Sequence, residues 1–239
     1  MFCIARAFHP CTDLAGDGVG AVVLPDGAIG VFLLDVSGHG VGAALLSFTL
    51  NHLLSPTVEA STLVESGTGG RRAAPPALVA DRLNRQFPMD RSRQYFTLVY
   101  GILEPASNRF RYVTAGHPAP ILLRPGQPPL MLASTGPPIG LLEQAAFEDA
   151  LIVFKPGDRV YLYSDGVTEA SDANDEEFGV TGLIAQIDRL RQLPLREGLE
   201  SIVDAVRQWT GEALRDDVSL VAVERVDTQH AVNAIAGQA

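Results

Sequence analysis

Period-2 alternation and continuous apolar runs along the chain predict strands at 3–8, 19–24, 29–35, 96–103, 110–115, 120–124, 130–133, 147–154, 159–164 and 218–226. Helical spacing of apolar positions fits better at 41–54, 76–86, 181–191 and 195–212. Many strands with few helices argue for an α+β fold in which two packed, mainly antiparallel sheets carry helices on their outer faces. Asp26-Gly27 sits between two strand-like runs and reads as a hairpin turn. Residues 55–75, rich in Ser, Thr, Gly and Pro with Gly67-Thr68-Gly69-Gly70 at their centre, read as a long connection between two helices. Periodicity fades after Asp227, so residues 1–226 are expected to form one domain and 227–239 a flexible C-terminal tail.

A chain of 239 residues can bury a sizeable core as a single domain. Its formal charge of −10 argues against nucleic acid or an anionic membrane surface as a partner, because both need basic patches. The arginines near 71–72, 82–93 and 189–196 are mixed with acids and apolar residues and read as solvated helix faces, with phosphopeptide binding by one of these groups as the alternative. Cys3 and Cys11 are too few for a zinc site, and nothing suggests a disulfide or an oxidising compartment. No signal-peptide pattern and no membrane-spanning apolar run is present, so a cytoplasmic location is expected.

Candidate chemistry lies in four aspartates at the ends of strand-like runs: Ala15-Gly16-Asp17-Gly18, Leu34-Asp35-Val36-Ser37, Tyr163-Ser164-Asp165-Gly166 and Arg215-Asp216-Asp217-Val218. Taken singly these contexts are weak. An Asp-Gly pair most often marks a turn, and Asp216-Asp217 would serve as a solvated pair at a strand start. Brought together, several carboxylates would repel one another and raise each other's pKa unless cations sat among them. Hard divalent ions such as Mg²⁺ and Mn²⁺ prefer such oxygen donors. Two ions about 4 Å apart can share a water, lower its pKa and clamp the oxygens of a phosphate, so the chemistry implied is phosphate ester hydrolysis.

The run Gly-Val-Phe-Leu-Leu-Asp-Val-Ser-Gly-His-Gly-Val-Gly-Ala-Ala-Leu-Leu at 30–46 resembles the signature of the SpoIIE/RsbU-type serine/threonine phosphatases, the bacterial branch of the metal-dependent type 2C (PPM) phosphatases. Leu83-Asn84-Arg85, Tyr95-Phe96-Thr97, Ala115-Gly116-His117-Pro118, Pro156-Gly157-Asp158, Tyr163-Ser164-Asp165-Gly166, Phe178-Gly179 and Asp216-Asp217-Val218-Ser219 follow as similar landmarks in the same order, so the resemblance spans about residues 4–225.

The resemblance implies a four-layer α-β-β-α sandwich with the aspartates converging at one end of the sheets. It implies two divalent cations, Mn²⁺ or Mg²⁺. Asp35 would bridge them, with the Val36 carbonyl completing one coordination sphere. Asp165 and Asp216 would hold the second ion, and Asp17 would stand on the side of the first; Asp35, Asp165 and Asp216 are the catalytic set. The nucleophile would be a metal-bridging hydroxide. It also implies a phosphorylated protein substrate, an anti-sigma-factor antagonist (STAS-like) in a partner-switching pathway, with an upstream sensor or activator protein and a homodimer as further partners. Regulation in such proteins acts through helices like those starting at Val41 and Pro76. The chain would be a stand-alone phosphatase controlled in trans or the catalytic part of a longer protein.

The first motif departs from the family's Gly-Gly-Asp with a second acid three residues on, because position 20 is glycine. Gly18 and Gly20 are therefore expected to loosen the surroundings of the first ion. Ser37 stands where the eukaryotic branch has a histidine assigned as general acid, and His39 reads as a helix-entry or hydrogen-bonding residue, with proton donation as the alternative. His117 reads as a structural group in a sharp turn. The acidic stretch 172–177 reads either as a solvated loop or as a flap above the metals. A catalytically silent phosphoprotein-binding scaffold and a small-molecule phosphatase are the rival functions.

Overall fold

In chain order the described residues form β1 (Phe2–His9), β2 (Gly18–Val23), β3 (Ile29–Val36), α1 (Val41–Leu53), β4 (Val64–Gly67), β5 (Gly70–Ala73), α2 (Pro76–Gln86), α3 (Met89–Ser92), β6 (Phe96–Glu104), β7 (Arg109–Ala115), β8 (Ile121–Leu123), β9 (Leu130–Met131), β10 (Ala150–Val153), β11 (Arg159–Tyr163), α4 (Asp165–Thr168), α5 (Gly179–Arg189), α6 (Leu195–Thr210) and β12 (Val218–Arg225). The structure, a computed structural model, describes residues 1–11, 15–38, 40–67, 70–211 and 214–226. His39, the Thr68-Gly69 centre of the expected connection and the expected tail at 227–239 lie outside the described residues.

Two five-stranded sheets face each other, one in the order β1-β12-β11-β8-β9 and the other β10-β7-β6-β3-β2. Every ladder in them is antiparallel. Both faces of each sheet are covered, which is why β3 and β6 read as nearly unbroken apolar runs: Leu33 and Leu34 are neighbours on opposite faces and both fully buried. Val31, Leu33, Val99 and Phe110 from one sheet meet Leu122, Val160, Leu162 and Val221 from the other in the central layer. Phe32, Leu34 and Val36 face the opposite way, onto Leu50 of α1 and Val79 and Leu83 of α2. On the other flank, α6 lays Leu199, Ile202, Val203 and Val206 against the outer face of β1 and β12, a spacing of 3, 1 and 3 that fits a helical stripe. The result is the α-β-β-α sandwich.

Local chemistry sets the joints. Gly27 takes φ 81 in the β2–β3 turn while Asp26 accepts the N–H of Ala28 at 3.2 Å. The other Asp26 oxygen accepts the N–H of Ala73 at 3.1 Å, tying a small β4–β5 ribbon to that turn. This ribbon forms part of the long connection expected at 55–75, in which the sequence pattern predicts no strand: its strands have four residues each and expose Gly and Arg, so they carry no alternation to read. Likewise the strand expected at 147–154 is ordered as a strand only over β10.

Candidate active site

Asp35 is the last inward-facing position of β3, following Val31 and Leu33 toward the opposite sheet. Its cross-strand partner is Thr97 on β6. The loop before β2 folds over this strand end through Gly16. A Cβ at Gly16 would lie 3.4 Å from the Val36 carbonyl oxygen and 3.8 Å from Asp35 Oδ1, so the main chain comes close to both expected ligand groups and delivers Asp17 beside Asp35.

Asp17 is buried and held from several sides. Its Oδ2 accepts the hydroxyl of Ser219 at 2.5 Å, and its carbonyl accepts that of Ser47 at 3.1 Å. Asp217 organises the loop. Its Oδ1 accepts the N–H of Cys11 at 2.8 Å, and its Oδ2 accepts those of Gly16 at 2.8 Å and Asp17 at 3.2 Å. Sequence reasoning separated Asp216 from Asp217 as a ligand but found no role for the second acid. Only tertiary structure reveals it, because the three amides that it gathers lie about 200 residues away.

Asp165 begins the single turn α4 directly after β11, and Ser164 clasps β12 in two directions. The Ser164 hydroxyl donates to the Asp217 carbonyl at 3.1 Å and accepts the N–H of Ser219 at 3.0 Å. Gly166 makes this approach possible. A Cβ there would stand 2.2 Å from the Asp217 carbonyl oxygen and 3.3 Å from the Asp216 Cβ, which places Asp165 and Asp216 side by side.

The electrostatics show that the four expected residues share one field. Burial pushes Asp17 up to about 9, with Asp35 and Asp217 adding repulsion against the Ser219 hydrogen bond. Asp35 rises to about 7 through burial first, then the charges of Asp165 and Asp216. Asp216 is raised by burial and by Asp165 and Asp217, although its residue reaches the surface. Such an all-oxygen cluster, unfavourable when charged, fits hard divalent cations by its chemistry. Among the described residues, no three acidic, His or Cys side chains are already arranged to hold an ion, so the cluster stops short of a finished ligand set. A cavity of about 480 Å³ walled by Phe8, His9 and Asn51 touches the cluster at Asp17; another, of about 450 Å³, lies at the far end of β11 around Arg159.

The departure at position 20 has a packing cause. A Cβ at Gly20 would lie 2.5 Å from the Phe32 ring opposite it, and one at Gly18 would lie 2.4 Å from Asn51 Nδ2. Both glycines are therefore filled against, which corrects the expectation that they loosen the site. Phe32 belongs to the helix-covered layer, whereas Asp35 faces the other sheet, so a side chain at position 20 would point away from Asp35. Gly20→Asp is accordingly expected to lower stability by about 1–3 kcal/mol with no gain in metal affinity, read from thermal melts and a Mn²⁺ titration.

His117 is buried with Nδ1 at 2.8 Å from Thr97 Oγ1. Its Nε2 has no partner at normal hydrogen-bond geometry, yet the Tyr163 backbone beside it opposes the effect of burial, which brings the imidazole down to about 3. It is a neutral strut between β6, the strand paired with that of Asp35, and the end of β11, which leads into Asp165, in keeping with the structural role expected of it. Cys3 and Cys11 are free thiols, as expected. No helix among the described residues is long and apolar enough to cross a membrane.

Comparison with known proteins gives this arrangement its class. The SiaA-PP2C domain of Pseudomonas aeruginosa superposes with a TM-score of 0.74 over 94% of this chain and 86% of that one, at 18% identity, so the fold is that of a PP2C-type phosphatase domain. The RsbU and RsbW domains of Rv1364c from Mycobacterium tuberculosis give a TM-score of 0.73 at 25% identity, covering 94% of this chain and 60% of that one. The phosphoserine phosphatase RsbP of Bacillus subtilis is 27% identical over 167 residues, 68% of this chain and 38% of the relative. The chain thus spans well under half of that relative's length. The family described as Stage II sporulation protein E (SpoIIE) matches residues 25–226, and the chain belongs to it.

Proposed function

We propose that the chain is a metal-dependent phosphatase acting on phosphoserine or phosphothreonine in a protein, with residues 1–226 as its catalytic domain. The observation that carries this reading is the convergence of Asp17, Asp35, Asp165 and Asp216 in one electrostatic field at one end of the sandwich, in a chain of the SpoIIE family. Asp35 would bridge two ions, with the Val36 carbonyl beside it; Asp165 and Asp216 would hold one ion and Asp17 would stand by the other. When bound, Mn²⁺ or Mg²⁺ would supply an activated water as nucleophile and a clamp for the phosphate oxygens.

The chain's own residues set the stage for that chemistry. Ser219 fixes the Asp17 carboxylate, and Asp217 fixes the backbone that carries it. Gly166 and Ser164 hold the Asp165 turn against the Asp216 loop. A scaffold without catalysis would gain nothing from burying these repelling carboxylates, so the enzyme reading is preferred.

For the substrate we favour a phosphorylated anti-sigma-factor antagonist in a partner-switching pathway. The support is the name of the RsbP relative and the joint presence of RsbU and RsbW domains in the Mycobacterium tuberculosis neighbour. Phosphate release from matched phosphoserine, phosphothreonine and phosphotyrosine peptides, with Mn²⁺ and after EDTA, tests the class. Turnover of the first two only, abolished by EDTA, is expected. Equal turnover of phosphotyrosine, or turnover in EDTA, would contradict it.

A further inference from the structure

The charge inventory around the cluster is one-sided. In the four segments that carry the aspartates, residues 10–18, 35–40, 164–169 and 211–217, Arg215 is the only lysine or arginine. It immediately precedes Asp216, so their Cα atoms are about 3.8 Å apart. Its guanidinium reaches across to the loop at 172–177, where Nη1 lies 3.7 Å from Asp175 Oδ1.

That loop is built independently of this contact. Asp172 accepts the N–H groups of Asn174 and Glu176, Trp209 Nε1 donates to the Glu176 carbonyl at 2.9 Å, and Phe178 packs edge-on against the Trp209 ring. The loop borders the cluster: Glu169 is raised by burial and then by the charges of Asp165, Glu177 and Asp216. Arg215 therefore stands on the rim of the site, between an anionic loop and an anionic centre.

The pair itself is weak. The side chains of Arg215 and Asp175 are 68% and 90% exposed, and an ion pair at that distance in water contributes little. A loop already tied by Trp209 and the Asp172 turn does not depend on it.

From this geometry we propose that Arg215 is a phosphate-binding residue, parked on Asp175 in the free protein and released to the phosphoryl group of the substrate on binding. This rests on the phosphatase reading and adds to it a protein-borne cation next to Asp216. A phosphate monoester dianion is bound best by a planar guanidinium offering two parallel N–H groups, an arrangement that lysine cannot copy. The same side chain would bring free inorganic phosphate, the product, to the site.

The inference separates from a merely structural latch by comparing three variants with the native chain. Steady-state kinetics on a phosphoserine peptide with Mn²⁺, together with competitive inhibition by inorganic phosphate, are measured for the native chain, Arg215→Ala, Arg215→Lys and Asp175→Asn. Thermal melts confirm that each variant is folded. Arg215→Ala is expected to raise KM and the inhibition constant of phosphate about tenfold with a smaller fall in kcat, and Arg215→Lys to recover only part of the loss. Asp175→Asn frees the guanidinium and is expected to give an equal or lower KM.

Unchanged constants in Arg215→Ala, or a rise in KM shared equally by Asp175→Asn, would overturn the proposal and leave Arg215 as a loop tether. A native chain without metal-dependent turnover would remove the proposal together with the reading it rests on. An active native chain with an indifferent Arg215→Ala would remove the proposal alone.

Discussion

Asp35→Asn is expected to abolish turnover while making the metal-free protein more stable. The carboxylate of Asp35 is the one that burial and the charges of Asp165 and Asp216 together push up to about 7, so its ionised form is held against the preference of the fold. An amide of the same shape removes that repulsion. It also removes the central donor for the ions, and losing their several kcal/mol of transition-state stabilisation corresponds to a fall of about 10³-fold or more in kcat.

The pH dependence carries the same signature. Asp17 and Asp35 have folded pKa values raised above the ordinary aspartate value of 3.8, so the folded state binds more protons than the unfolded one between that value and about 7 and 9. Their contribution to stability is fully present below pH 3.8 and is lost as pH rises through 7 and then 9. In EDTA the melting temperature of the native chain should therefore fall from pH 6 to pH 9, Asp35→Asn should fall less, and Mn²⁺ should raise the native value most at the alkaline end. Thermal melts across that range check it. A native chain with no alkaline loss in EDTA would contradict the clustering of these carboxylates.

The second large effect is expected at Asp217, which is not a proposed ligand. Truncation to Ala leaves the N–H groups of Cys11, Gly16 and Asp17 without their acceptor in a largely buried place. Hydrogen bonds to a charged acceptor contribute about 1.5–3 kcal/mol each, and shared loss with relaxation of the loop leads us to expect about 3–5 kcal/mol of destabilisation. For a domain of this size, that corresponds to a fall of roughly 10 °C in melting temperature. Activity should fall as well, because the freed loop carries Asp17. Asp217→Asn keeps an acceptor and should retain part of both properties. An Asp217→Ala protein with native melting temperature and native kcat would show that the loop is held by other contacts.

Much of the fold was legible because both faces of each sheet are buried. Runs such as Val31 to Leu34 and Leu98 to Leu103 need no tertiary knowledge to be read as strands, and the stripe of Leu199, Ile202, Val203 and Val206 marks α6 equally well. The expected aspartates were legible for a related reason: each lies at one end of a strand-like run, Asp17 and Asp216 just before one and Asp35 and Asp165 at or just after the close of one, which places it at an edge of the sandwich, and the structure brings the four within one field. Very short elements were not legible. The β4–β5 ribbon and the turns α3 and α4 have four residues per element, too few for a period to emerge.

Roles that depend on distant partners were also hidden. Asp217 looks like half of an acidic pair until its three amide partners are known. Gly20 looks like a source of slack until the Phe32 ring is seen over it. Arg215 looks like one charge among many until the four segments that carry the aspartates prove to hold no other lysine or arginine.

The central claim is that these carboxylates hold the ions on which hydrolysis depends. The most direct measurement is phosphate release from a phosphoserine peptide by the native chain, stripped with EDTA and then titrated with Mn²⁺. The account predicts no turnover in the stripped protein and recovery that rises with metal to saturation. Undiminished turnover in the stripped protein would contradict it.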